Sequence, residues 1–354
     1  MNFKGYIEGY YSRRLPLDAF KNLKEPLTHY FYGPKEDKYL RANWRIIDKT
    51  LQRRDLPKRI KQVYSISPGL DFNFESKEDF SFLVKKIEYA LSKVGFNQAA
   101  IFLDDIDITN FGGEFNNKKL GEQHAKLLNR IFDHFKFKKD FWFCPSIYNE
   151  SLSQGNMRLG YLQGIKEILN PKITIFWTGK NVISEEISQK DLNKLTAYFS
   201  NPIAIWDNFY ANDYCPNRLF LGPLTGRSFN NKRIKGHFIN GTGMKETDRF
   251  LMNYLFNKKQ KIHYIPKDLL PLFKTPFYKI TKKELARLLN LSSMDLKLIF
   301  EQPATNLYLE WKPFIISALN DIQLLKLKKE KEVERFLDRR YSPLVKMKFN
   351  KSRR

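Results

Sequence analysis

Residues 98–107 read QAAIFLDDID, an apolar run that stops on three carboxylates, Asp104, Asp105 and Asp107. A short run of small, β-branched and aromatic residues bounded by polar groups reads as a buried strand. Seven other stretches share the form: FKGYIEG (3–9), LTHYFYG (27–33), KQVYSIS (61–67), DFWFCPS (140–146), ITIFWTG (173–179), PIAIWDN (202–208) and IKGHFIN (234–240). Between most of them apolar residues recur at three and four, the stripe of an amphipathic helix. Phe80, Leu83, Val84, Ile87 and Leu91 form one such stripe, and Leu120, His124, Leu127, Leu128, Ile131 and Phe132 another. Leu159, Leu162, Ile165 and Leu169 follow, then Leu192, Leu195 and Tyr198, then Leu251, Tyr254 and Leu255. Strands alternating with helices predict parallel βα units. Eight units within residues 1–262 match the size of a (β/α)8 TIM-type barrel. Periodicity alone leaves a doubly wound open sheet as the alternative. No G-x-G-x-x-G or G-x-x-x-x-G-K-[ST] follows a strand, so a nucleotide phosphate lacks its usual loop.

Beyond residue 262 the pattern changes. PKDLLPLFKTPF (266–277) carries three prolines, and residues 263–270 are expected to form a linker. Residues 271–340 are expected to form a small helical C-terminal region, and 341–354 a basic tail. The apolar fraction of 42% and charged fraction of 28% fit a soluble globular protein with a sizeable core. Two cysteines exclude a disulfide scaffold. Lys4, Glu8, Arg13 and Arg14 break every early apolar run, so no signal-peptide core is visible, and no stretch is long enough to span a membrane. The expected location is the cytoplasm, with Cys144 and Cys215 reduced. Net charge is +24, and residues 326–354 hold twelve Lys or Arg against four acids. That surplus reads as a solvated basic surface and tail, or as a contact for an anionic polymer. No recognition-helix, zinc-finger or RNP-type pattern accompanies it.

Polar groups or glycine close nearly every strand: Glu8-Gly9, Gly33-Pro34-Lys35, Asp104-Asp105, Ser146, Thr178-Gly179, Asp207-Asn208 and Asn240-Gly241. In a βα barrel these ends build the active-site face, so the residues are expected to converge on one mouth. Adjacent aspartates share a pocket only if the strand ends or bends there, because successive side chains point to opposite faces. Two close carboxylates split their pKa values, giving one proton donor beside one anion. That suits acid catalysis at a glycosidic oxygen. A divalent metal site for phosphoryl transfer and a solvated helix N-cap are the other readings. The five histidines show no metal-ligand spacing, and His124 and His134 read as packing or surface residues. No G-x-S-x-G elbow occurs, and Cys144 reads as a small buried hydrophobe. The stretch WDNFYANDY (206–214) places aromatics beside Asn and Asp, a combination that stacks on a sugar face and forks onto hydroxyls. Arg227, in the loop that follows, is available to pair locally.

Taken in order, IEGYY (7–11), YGPKEDKYLRANWR (32–45), SISPGLDFNF (65–74), FLDDID (102–107), FCPSIY (143–148), FWTGKNVIS (176–184), WDNFYANDY, LFLGPLTGR (219–227) and FIN (238–240) resemble glycoside hydrolase family 84, the O-GlcNAcase-like β-N-acetylglucosaminidases. The resemblance covers residues 5 to about 245 and none of the C-terminal region. It implies a (β/α)8 barrel and retaining hydrolysis assisted by the substrate's own 2-acetamido group, with no cofactor and no metal. On that resemblance Asp104 orients and polarises the acetamido N–H, and Asp105 is the general acid and then the base. Gly9 and Lys35 contact sugar hydroxyls, and Tyr148 bonds near the acetamido oxygen. Val182 and Trp206 wall the pocket, and Asn208 reaches the acetamido group. Asp213 takes the 4- and 6-hydroxyls and Asn240 a further hydroxyl. The partner implied is a glycan or glycoconjugate ending in β-linked GlcNAc. The chain departs from the family pattern at Ser12-Arg13-Arg14, where Gly-Arg-Pro is usual, at Glu36, which replaces a common Asp, and at Gly241, which replaces a proline. A non-catalytic glycan-binding barrel with a basic tail is the alternative function, and a metal-dependent phosphoesterase a third.

Overall fold

The computed structural model describes residues 3–69, 71–104, 113–137, 140–153, 156–277, 281–290 and 301–326. Asp105, Asp107 and the basic tail lie outside the described residues. All eight expected strands are present: β1 (Phe3–Glu8), β2 (His29–Tyr32), β3 (Lys61–Ile66), β4 (Gln98–Phe102), β5 (Trp142–Cys144), β6 (Thr174–Trp177), β7 (Ile203–Asp207) and β8 (Ile234–Asn240). Each pairs in parallel with the next, and β1 pairs with β8 through Phe3↔Gly236 to Ile7↔Asn240, closing the barrel. The closed order decides against the open sheet.

Four helices follow the middle strands: α1 (Lys77–Glu88), α2 (Gly113–His134), α3 (Asn156–Ile168) and α4 (Gln189–Tyr198). Each carries a stripe expected from the sequence. Ser76 caps α1 by accepting the Asp79 N–H, and Ser188 caps α4 by accepting the Asp191 N–H. A six-residue π-helix, Tyr89–Val94, continues α1 and ends on Gly95, whose φ of +86° is the left-handed stop a glycine takes at low cost. The connections after β1, β2 and β7 are built from turns, without a helix among the described residues.

Aromatic rings fill the barrel. Phe31, Trp142, Phe176 and Phe238 are fully buried and meet largely edge to face, Phe31 and Phe238 at 5.1 Å and Phe31 and Phe176 at 5.2 Å. Phe238 fits because two inward positions carry no side chain. A Cβ on Gly5 would lie 2.5 Å from Phe238 Cδ1, and one on Gly236 would lie 2.7 Å from Phe238 Cζ. Outside the sheet, α2 and α3 cross at a reciprocal glycine contact. A Cβ on Gly121 would fall 2.1 Å from the Tyr161 carbonyl oxygen, and one on Gly164 would fall 2.3 Å from that of Lys118.

The chain divides into two compact units, residues 1–208 with 225–240, and residues 209–224 with 241–354. The second holds α5 (Lys245–Leu255), α6 (Lys282–Leu289) and α7 (Asn306–Lys326). Its core gathers Leu221, Leu251, Ile265, Trp311 and Ile315, and takes Leu269, Leu272 and Phe273 from the proline-rich stretch. The residue before α5, Met244, offers no side-chain cap. Glu310 of α7 supplies it, accepting the Glu246 N–H at 3.0 Å and the Thr247 N–H at 2.7 Å. Among the described residues no helix is long and apolar enough to cross a membrane.

Two tests address the packing. At Gly164 an added methyl meets main chain, which cannot swing aside, so Gly164→Ala is expected to cost about 3 kcal/mol in chemical denaturation; a loss below about 0.5 kcal/mol would contradict the close crossing. Burial pushes the His29 imidazole down to about 4 and that of His124 to about 3, so both are neutral when folded. The unfolded chain takes up these protons as pH falls below about 6.5, while the folded chain does not. Stability is therefore full above that pH and falls by about 2 kcal/mol per histidine on reaching pH 5. Urea midpoints at pH 7.5 and 5 check this, and His29→Phe should remove about half of the drop.

Candidate active site

Side-chain parity decides which residues reach the mouth. Ile7, Phe102, Trp206 and Phe238 face the barrel interior. One alternate position further along each strand stand Gly9, Asp104, Asn208 and Asn240. Two such positions beyond Phe31 stands Lys35, whose Nζ is 6.0 Å from the centroids of the inward rings Phe102 and Trp206. Tyr148, further along from Cys144, is half-buried and packs against the same interior cluster.

These residues are joined. Lys35 Nζ donates to Asp104 Oδ2 at 2.6 Å, and both side chains are almost fully buried. In such a site the pair gains strongly from Coulomb attraction, offset by the loss of water around each charge. β4 ends at Phe102 and Asp104 lies in a turn, which is the break that a second carboxylate beside it requires. Asn240 accepts the Gly9 N–H at 3.3 Å and donates to Asn208 Oδ1 at 2.9 Å. Trp206 Nε1–H donates to the same oxygen at 2.9 Å, and Asn208 Nδ2 donates to the Val182 carbonyl at 2.9 Å. One chain of bonds thus ties the ends of β1, β7 and β8 to the loop after β6. Gly9 lies flat on the indole, since a Cβ there would be 2.5 Å from Trp206 Cζ2. Val182 is exposed. Asp213 belongs to the second unit, where its carboxylate accepts the Tyr214 N–H at 3.0 Å.

Two strand-end acids do not face the mouth, contrary to the simple expectation that all would converge there. Glu8 and Asp207 have the opposite parity and point outward. Glu8 is fully buried against Arg54, with contacts of 2.7 and 2.8 Å, bonds to Tyr30 Oη, and accepts the Leu15 N–H at 3.1 Å. It thereby anchors the loop that follows Gly9. Asp207 receives a fork from Arg227, both contacts at 2.8 Å, and His237 Nε2 at 2.8 Å. Burial alone would raise the Asp207 pKa, but Arg227 and His237 hold the carboxyl well below the usual range. Arg227 also donates to the carbonyls of Ser184, Glu185 and Thr225, fixing the loop that carries Val182.

The departing loop has its own anchors. Ser12 sits at φ +66°, where a glycine is at ease, and its N–H donates to Glu36 Oε1 at 2.9 Å. Two departures from the family pattern therefore meet each other. Arg14 donates to Tyr32 Oη at 2.6 Å, and that hydroxyl donates to Asp37 at 2.6 Å. The sequence marks Ser146 as a strand-end polar residue and His124 as a packing or surface residue, and misses that Tyr161 joins them. Ser146 Oγ donates to the Leu103 carbonyl at 2.6 Å, its N–H donates to Tyr161 Oη at 3.0 Å, and His124 Nδ1 lies 2.8 Å from the same phenol oxygen. The available signals were Pro145, which interrupts the strand ladder, and the helical glycines Gly121 and Gly164.

The β-N-acetylglucosaminidase family model matches residues 4–253. Protein O-GlcNAcase of Mus musculus is 31% identical over 252 residues, which are 67% of this chain and 27% of that protein. The Rattus norvegicus protein O-GlcNAcase matches to the same extent. The chain thus covers about a quarter of the length of these relatives. The solved structure of CpGH84B superposes with a TM-score of 0.68 at 20% identity, over 98% of this chain and 73% of that one, a likeness of fold. With a family match spanning the whole barrel and the strand-end residues gathered at its mouth, the chain belongs to the β-N-acetylglucosaminidases of glycoside hydrolase family 84.

Proposed function

We propose that the chain is an exo-acting, retaining hydrolase that removes terminal β-linked N-acetylglucosamine through an oxazoline intermediate. The observation that carries the reading is the inward register of Gly9, Lys35, Asp104, Trp206, Asn208 and Asn240 around one mouth, on a chain of this family. In the first step the acetamido oxygen attacks the anomeric carbon. Asp104 accepts the acetamido N–H and stabilises the positive charge that develops on the amide. Asp105 protonates the departing glycosidic oxygen as its bond to carbon breaks. In the second step Asp105 takes a proton from water, whose oxygen attacks the anomeric carbon and reopens the oxazoline. The nucleophile comes from the substrate, so no enzyme carboxylate need reach the anomeric carbon, and the spacing rule for ordinary retaining enzymes does not apply. Holding the acetamido group beside that carbon supplies the proximity contribution. Lys35 pairs with Asp104 and places an ammonium donor beside it at the mouth, suited to a sugar hydroxyl. The indole of Trp206, packed beside the main chain of Gly9, walls the pocket and suits an apolar sugar face.

Turnover of a chromogenic β-GlcNAc glycoside tests the reading. Release by the wild type is expected to persist in EDTA. Asp104→Asn and Asp105→Asn should each lower kcat about a hundredfold or more, the size of a lost acid–base or charge-stabilising group. Folded wild type that binds the glycoside without turnover would support the glycan-binding alternative. EDTA-sensitive release of phosphate from a phosphoester would support the metal-dependent one.

A further inference from the structure

The main chain leading into Asp104 is held by a bond that the sheet ladder does not supply. Leu103 N–H donates to the Cys144 carbonyl at 2.8 Å, continuing the β4–β5 ladder one residue past the Phe102↔Cys144 pair. In a parallel ladder the next rung would run from the Ser146 N–H to the Leu103 carbonyl. That N–H instead donates to Tyr161 Oη at 3.0 Å, and the Ser146 hydroxyl takes its place on the Leu103 carbonyl at 2.6 Å. Pro145, between Cys144 and Ser146, has no N–H to offer. Tyr161 on α3 and His124 on α2 are both fully buried, with the phenol oxygen 2.8 Å from His124 Nδ1. A phenol that accepts from Ser146 has its own proton free for the neutral imidazole. The Gly121–Gly164 crossing brings the two helices close enough for that contact.

We infer that His124, Tyr161 and Ser146 are positioning residues that fix the main chain at Leu103–Asp104, and through it the aim of the Asp104 carboxylate, which Lys35 holds from the other side. The inference rests on the proposed hydrolase reading. None of the three need touch the sugar. Their effect falls on the geometry of Asp104, where a shift of about 1 Å in a reacting group costs on the order of a hundredfold in rate. Because that geometry matters most in the transition state, kcat carries the loss and KM changes little.

The test uses Ser146→Ala, which removes the substitute rung, and Tyr161→Phe, which removes the hydroxyl and keeps the ring. Kinetics on a chromogenic β-GlcNAc glycoside are read together with hydrogen–deuterium exchange over residues 101–104 of the unliganded protein. Each variant is expected to lose about tenfold or more in kcat with KM within about threefold of wild type. Exchange at the Leu103 amide should rise by about tenfold or more, while the rest of the barrel exchanges as before. Ser146→Thr, which keeps the hydroxyl, should restore most of kcat. Wild-type kcat and unchanged Leu103 exchange in folded Ser146→Ala would overturn the inference. So would a loss of kcat in step with faster exchange throughout the barrel, which marks a merely structural role. If Tyr161→Phe does not fold, Ser146→Ala decides alone. Exchange needs no turnover: a wild type without glycosidase activity, whose variants still show local exchange at Leu103, would leave the relay standing and remove the hydrolase reading.

Discussion

Barrel closure fixes the orientation of everything else in the first unit. The β1–β8 pairing places Gly5 and Gly236 against Phe238, and only that absence of side chains lets the ring enter the interior beside Phe31, Trp142 and Phe176. Once those rings face inward, strand alternation fixes the side-chain directions of the residues beyond them. Gly9, Asp104, Asn208 and Asn240 must then face the mouth, and Glu8 and Asp207 must face away. A shift of one residue in any strand would exchange the two sets and bring the wrong side chain to the mouth. The aromatic interior is therefore a packed core and also the device that aims the polar groups above it.

The outward set supports the inward one. Glu8 with Arg54, and Asp207 with Arg227 and His237, are buried charge clusters that hold the loops after β1, β6 and β7. Buried ion pairs contribute little net stability, because desolvation offsets their attraction, yet removing one partner leaves an unpaired buried charge at a cost of about 3–5 kcal/mol. Their value here is geometric. Each connection they hold carries a mouth residue, and the loops after β1 and β7 reach it without a helix to stiffen them.

Much of this was legible in the sequence. All eight strands and five helical stripes emerged from local periodicity, because buried strands and amphipathic helices leave short-range patterns. The break in β4 at Asp104 came from the chemistry of adjacent carboxylates. The sorting of Asp207 from Asn208 did not, since both are polar at a strand end and only the inward assignment of Trp206 separates them. The partner of Arg227 was open for the same reason. Ser146, Tyr161 and His124 stand far apart in the chain, and their meeting depends on how α2 and α3 cross. That crossing is set by glycines which, read alone, only weaken a helix. The proline-rich stretch 266–277 looks like a linker in composition, yet it supplies apolar side chains to the second unit's core.

The most direct measurement is a crystal structure of the protein bound to a thiazoline analogue of the oxazoline intermediate. The ring nitrogen of the analogue is expected against the Asp104 carboxylate, its sugar face on Trp206, and its hydroxyls toward Gly9, Lys35 and Asn240. An analogue bound elsewhere, or bound at the mouth with its nitrogen turned away from Asp104, would contradict the assignment.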